Sequence, residues 1–302
     1  MAQDDQLPDH TSSRSSRWSS GTTPASTMDW GALSHPGYDD TVNTDTFYLG
    51  RFDRTLEPIL TSLTQVAGVS WHHLAGYVAV VADGLDAGAI GEVASRTAVS
   101  TLLDLTLETP DWIMRLDEAT LADRVSQRVA NRLHRVDQLL TSIGEATLRP
   151  ESMGTTMTIV AVLPPDGLVV HTGHSRAYLQ RQQTLTRLTR DHTASQALAD
   201  AGMIDDDDVA HHAGREVVLK AIGLGEGRLG ADVTRFHLEP GDRVVVCSDG
   251  LTAAVSDDEL NEVLSASASS ALACRALVDL ALARGGHDNV TVAVGRGQVE
   301  VP

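Results

Sequence analysis

The sequence predicts an α+β fold: a four-layer α-β-β-α sandwich, with an antiparallel β-sandwich flanked by helices. Three observations predict it. Several apolar runs are too continuous for a sheet with one wet face, so their strands must be covered on both sides. Two of the runs, "TTMTIVAVL" and "GLVVHTG", are joined by "PPDG", where Pro pre-sets φ and Gly tolerates positive φ, so they pair as an antiparallel hairpin. Two long segments carry instead an apolar stripe at helical spacing, the mark of a helix lying on a sheet.

In chain order, residues 1–28, "MAQDDQLPDHTSSRSSRWSSGTTPASTM", are rich in Ser, Thr and Pro and have almost no apolar residues to anchor them. They read as a disordered tail whose hydroxyls are open to phosphorylation. From 29 to 298 no Pro/Gly/Ser linker and no internal repeat divides the chain, so a single domain is expected. The strand "GYVAVVADG" comes first, then a helix with Ile90, Ala94, Ala98 and Leu102 on one face. A second helix follows, with Leu121, Val125, Val129, Leu133, Val136 and Leu140 on its stripe. The hairpin comes next, and "DRVVVCSDG" and "NVTVAVGRG" are the last two apolar strands.

Composition excludes several functions. The chain of 302 residues is 42% hydrophobic, enough for a sizeable core, and its formal charge of −18 repels a polyanion such as nucleic acid. No run approaches the roughly 18 apolar residues of a membrane span, and the N-terminus lacks the layout of a signal peptide. Two cysteines, Cys247 and Cys274, are too few for a disulfide framework and read as core residues of a reduced protein. A cytoplasmic location is expected.

Acids interrupt this apolar pattern at strand ends. "VAVVADG" stops at Asp83-Gly84, "RVVVCSDG" stops at Asp249-Gly250, and Asp288 precedes the strand in "GGHDNVTVAV". Asp-Gly and Asp-Asn are ordinary turn formers, which is one reading. The other is that neighbouring strands bring the three carboxylates together, where only cations or protons can neutralise them. Oxygen ligands without Cys select a hard divalent ion, Mg²⁺ or Mn²⁺. Such an ion makes a nucleophile of its water near neutral pH and can polarise a phosphate.

The motifs "VADGLDAGAIGEVAS", "MGTTMTIVAV", "HTGHSRAYLQRQQTLTRLTRDHTASQALADAGMI", "LKAIG", "LEPGDRVVVCSDGLT" and "GGHDNVTVAV" occur in the order seen in the metal-dependent Ser/Thr protein phosphatases. From about residue 34 to residue 296 the chain resembles the compact bacterial form of that type 2C, or PPM, family. The resemblance implies a β-sandwich with two metal ions and a bridging water at one end, hydrolysing phosphoserine and phosphothreonine without a phosphoenzyme. It implies that Asp83 bridges both ions, that the Gly84 carbonyl binds one, and that Asp249 and Asp288 complete the other. Asp45 falls where the family orients metal-bound water, and residues 191–214 fall on a flap beside the site. The implied partner is a phosphorylated protein, the target of a Ser/Thr kinase or the kinase itself, met by a monomeric phosphatase.

The chain departs from the family pattern at the site itself. Asn-Glu-Asp is here Asn43-Thr44-Asp45, which removes a metal-ligating carboxylate and weakens the second ion site. Asp40 stands where the family has a phosphate-gripping Arg, leaving Arg51 or Arg54 to approach from the following loop. Gly-Asp-Ser-Arg has become Gly173-His174-Ser175-Arg176; His174 either ligates a transition ion or makes an ordinary hydrogen bond. Gly-Gly has become Asp86-Ala87, and Asp86 is a candidate to restore the missing charge. His72-His73, His211-His212 and the acidic run Asp205 to Asp208 read as surface features. Two functions therefore stand against each other: an active Mn²⁺- or Mg²⁺-dependent phosphatase, and a phosphatase-fold pseudoenzyme that binds a partner without hydrolysing it.

Overall fold

The structure is a computed structural model that describes residues 28–54, 74–86, 88–108, 119–147, 153–225 and 227–298. The expected tail at 1–28 lies almost wholly outside the described residues, as do His72-His73. The chain runs through β1 (Met28–His35), β2 (Asp45–Arg54), β3 (Leu74–Asp83), α1 (Ala89–Glu108), α2 (Ala119–Ala146), β4 (Met157–Leu163), β5 (Asp166–Thr172), β6 (Arg176–Arg181) and β7 (Thr184–Arg187). It continues through α3 (Ala194–Asp200), β8 (Asp232–His237), β9 (Arg243–Cys247), α4 (Asp249–Ala254), α5 (Asp257–Ala266), α6 (Ser270–Ala283) and β10 (Val290–Gly297). Among the described residues every strand pairing is antiparallel, in two five-stranded sheets ordered β1-β10-β9-β6-β7 and β2-β3-β4-β5-β8.

Alternation along the strands builds the four layers. In β3, Tyr77, Ala79 and Val81 face the other sheet, where they meet Val244 and Val246 of β9. Val80 and Ala82 face the opposite way, onto Ala94, Ala98 and Leu102 of α1 and Leu133, Val136 and Leu140 of α2. In β9, Val245 and Cys247 turn outward to Leu277 and Val278 of α6 and to Leu260 of α5. Both faces of these strands are dry, which is why their sequences are apolar without a break. Alanines at 94 and 98, both fully buried, let α1 lie close on its sheet.

Local signals set the helix starts. Gly88, at φ +86°, turns the chain out of the β3 end and accepts a bond from Glu92 N at 3.2 Å. Ser256 and Glu259 form a reciprocal capping box at the start of α5. No helix among the described residues is long and apolar enough to cross a membrane.

Candidate metal centre

The same alternation aims the acids. Asp83 follows Tyr77, Ala79 and Val81 in one row, so it faces the gap between the sheets at the strand end. Antiparallel register sets Asp45, first residue of β2, directly opposite Asp83, last residue of β3. Thr156 N and Thr155 Oγ1 each donate to the Asp83 carbonyl at 2.8 Å, which fixes the backbone from which the carboxyl projects. Gly84 is required by packing: a Cβ there would lie 2.2 Å from the Gly91 carbonyl oxygen of α1. Across the gap β9 ends at Cys247, and Asp249 opens α4. Asp288, ahead of β10, packs against Gly250, where an added Cβ would meet its own at 3.2 Å.

Burial makes three of these carboxyls, Asp45, Asp83 and Asp288, hard to ionise. It pushes Asp45 up to about 8; the Thr291 side chain and then Ser248 Oγ, donating to Oδ2 at 2.7 Å, oppose the shift, and Asp249 and Asp288 add to it. Asp83 is raised well above the usual carboxylate range by burial and then by Asp249, Asp45 and Asp288. Asp288 is pushed up to about 6 by burial, with Asp249 next. His174, in the β5–β6 loop, places Nδ1 3.5 Å from Asp249 Oδ2 and 3.8 Å from Asp83 Oδ2. Ligand atoms of Asp83, His174 and Asp249 all lie within 4.8 Å of one another. Asp45 Oδ1 and His174 Nδ1 are buried without a hydrogen-bond partner. Unpaired buried polar atoms beside carboxyls that repel each other fit a divalent cation, which would take up the open ligand atoms and the charge together.

The departures from the family pattern have structural consequences. Thr44 donates to Asn289 Oδ1 through its N (2.6 Å) and its Oγ1 (2.8 Å), and its carbonyl accepts from Ser95 Oγ at 2.6 Å. Its hydroxyl is thus committed to tying the β1–β2 loop to the start of β10. Asp40 faces the site, adding to the repulsion on Asp288 and lying 3.5 Å from Asn289 Nδ2. The expectation that Arg51 or Arg54 reaches the site from a loop fails. Both belong to β2 itself, six and nine residues beyond Asp45, and at 3.3 Å per residue this strand carries Arg51 about 20 Å away. Asp86 is half-buried and outside the Asp83, His174 and Asp249 cluster. His212 Nδ1 accepts from Gly214 N at 2.9 Å, a turn-capping role, and Asp206 to Asp208 open a 3₁₀ turn.

Sequence reasoning missed Ser248 and Asn289, though each adjoins a singled-out Asp. Ser248 sits at the N-cap of α4, yet its hydroxyl serves Asp45 rather than the helix. Between α4 and the flap, formed by α3 and the two 3₁₀ turns Asp206–His211 and Ala213–Glu216, is a cavity of about 50 Å³. His174, Arg176, Asp191, Arg215, Glu216 and Asp249 line it. Arg176 is held there by Asp191 at 2.8 Å. On the other side of Asp45 is an open groove of about 480 Å³ whose lining includes Asn43, Phe47, Glu92 and Arg96.

Sandwich and site together define a metal-dependent hydrolase of the α-β-β-α class. The protein phosphatase 2C profile matches residues 64–282, more than half of the chain, and the chain belongs to that family. It is 28% identical over 215 residues to the serine/threonine phosphatase Stp of Listeria welshimeri, covering 71% of this chain and 82% of that protein. It is 35% identical over 216 residues to the serine/threonine protein phosphatase PstP of Mycobacterium tuberculosis, covering 71% of this chain and 39% of the longer relative. The crystal structure of that phosphatase superposes with a TM-score of 0.71 at 28% identity, over 90% of this chain and 99% of the other. A PstP catalytic domain in complex with two manganese ions superposes at 0.68 with 27% identity, over 90% and 99%.

Proposed function

We propose that the chain is a divalent-metal-dependent phosphatase acting on phosphoserine and phosphothreonine in proteins. The observation that carries this reading is the meeting of Asp45, Asp83, Asp249 and Asp288 at facing strand ends, with burial raising three of the four carboxyls and the Asp45 and His174 acceptors left unpaired. Asp83, the Gly84 carbonyl, Asp249 and Asp288 would hold Mn²⁺ or Mg²⁺, with His174 as a further ligand. When bound, such ions lower the pKa of water toward neutrality and offset phosphate charge.

The chain's own residues do the rest. Ser248 fixes one oxygen of Asp45, which leaves Oδ1 to orient the attacking water and take its proton. The groove beside Asp45, walled by Phe47 and Arg96, receives the peptide around the phosphorylated residue. Arg215, half-exposed on the flap cavity, meets the phosphate in place of the cation lost at Asp40. Two ions are held, the second more weakly, because the Thr44 hydroxyl is spent on Asn289. Substrates are products of a Ser/Thr kinase, and two buried free thiols are in keeping with action in a reducing cytoplasm.

Thr44 and Asp40 favour a second reading, a binding module of the same fold without turnover. Hydrolysis of a phosphothreonine peptide with and without millimolar Mn²⁺ separates the two. Mn²⁺-dependent turnover lost in Asp249→Ala is the expected result. A wild-type protein that binds the metal yet releases no phosphate is the module.

A further inference from the structure

We infer that His174 turns one ion position into a mixed nitrogen-oxygen site, with Asp83, His174 and Asp249 as ligands, that prefers a transition cation such as Mn²⁺ or Co²⁺ over Mg²⁺. The inference rests on the metal-dependent reading only in that cations enter this cluster.

The His174 side chain is 9% exposed, and Nδ1 is its atom turned to both carboxylates, at 3.5 and 3.8 Å, without a hydrogen bond to either. Two ligand atoms each about 2.0–2.2 Å from one ion can be at most about 4.4 Å apart, and both pairs fall inside that limit. The backbone on either side of His174 is pinned. Gly173 sits at φ +107°, where a Cβ would strike Thr156 at 2.3 Å, and its N donates to His192 Nδ1 at 3.2 Å. His192 is in turn held by Asp232 at 3.1 Å. Fully buried Ser175 shares a 3.1 Å hydrogen bond with Thr156. A residue whose neighbours are pinned on both sides and whose buried Nδ1 is unpaired is poised as a ligand.

Nitrogen at this position changes which ion fits. Mg²⁺ prefers oxygen ligands and gives up water reluctantly, whereas imidazole is a good donor to the later first-row divalent ions. A neutral ring also leaves the position with two carboxylates, which lowers the electrostatic hold on Mg²⁺ more than on a cation that bonds to nitrogen. The competing account makes the ring an imidazolium that neutralises Asp83 and Asp249 in place of metal. That account predicts the opposite response to substitution, because removing a resident cation tightens metal binding.

The test uses the full chain, freed of metal and loaded with one equivalent of Mn²⁺. Pulsed electron paramagnetic resonance should detect a histidine nitrogen coupled to the ion in the wild type, and the coupling should vanish in His174→Asp. Calorimetry should show Co²⁺ affinity falling by about tenfold or more in His174→Ala, with the Co²⁺-to-Mg²⁺ preference lowered in His174→Asp. No coupling in the wild type, coupling that survives in His174→Asp, or tighter metal binding by His174→Ala would each overturn the assignment. Peptide hydrolysis on the same samples keeps the two readings apart. Coupling without turnover sinks the phosphatase and leaves the nitrogen ligand standing, and turnover without coupling does the reverse.

Discussion

Strand β9 has an aspartate beyond each end, one buried and one half-buried, and the two are treated in opposite ways. At one end Asp242, 2% exposed, accepts from Arg181 Nη2 at 2.8 Å, from Arg181 Nε and from Glu239 N at 2.8 Å. At the other end Asp249 faces Asp83, Asp45, Asp288 and an unpaired imidazole nitrogen. Asp191, inside the flap cavity, repeats the first pattern: burial raises its pKa, but Arg176 and Arg187 outweigh burial and hold it below the usual range. Where the fold needs a buried carboxylate for structure, it supplies a covalently attached cation. At the strand-end cluster it supplies more acid, so the neutralising charge must come from outside the chain.

Breaking the cluster should give the largest effect. Asp249→Ala is expected to lower Mn²⁺-dependent peptide turnover by more than about 10³-fold. The melting temperature of its metal-free form should equal or exceed the wild type's, since a repelling charge is gone. The mirror substitution, Asp242→Ala, should cost about 2–3 kcal/mol in urea denaturation, because three donors lose a charged acceptor. Turnover per folded molecule should survive it.

The contrast sharpens with pH. In the metal-free protein Asp45 is raised from 3.8 to about 8, so the folded state binds a proton that the unfolded state releases. Its contribution is complete below 3.8 and is lost as pH climbs through about 8, with Asp288 adding a loss up to about 6. Melting of chelated protein should therefore weaken from pH 4 to pH 8, and Mn²⁺ should restore most at the alkaline end. A slope of the opposite sign would mean that the carboxyls are not buried as described. As a control remote from both aspartates' chemistry, Ser256→Ala removes the α5 cap and should cost about 1 kcal/mol with turnover unchanged.

Much of this was legible in sequence, for identifiable reasons. Strands β3, β4, β5, β9 and β10 announce themselves because both faces are dry, and α1 and α2 because one face is. Strand β8, "DVTRFH", is mostly exposed, and β2 mixes Gly50, Arg51 and Asp53 into its run, so neither shows a clean period. Asp83, Asp249 and Asp288 could be singled out by their strand-end positions, and Asp45 only through the resemblance to the family. Their convergence depends on the Asp45–Asp83 register and on the packing of two sheets, contacts between distant residues that no local window contains. The misplaced hope for Arg51 has the same origin: without the β2 boundary, a strand residue passes for a loop residue. Thr44 reads as a lost ligand in sequence, and only the structure reveals its tie to Asn289.

The central claim is that Asp45 and Asp83 are held protonated until a cation displaces their protons. Calorimetric titration of Mn²⁺ into metal-free protein at pH 7, repeated in two buffers of different ionisation heat, measures the protons released. With Asp45 raised to about 8 and Asp83 also well above its usual range, release of about one proton or more per chain is predicted. Binding with no proton release, or no binding at all, would contradict the account.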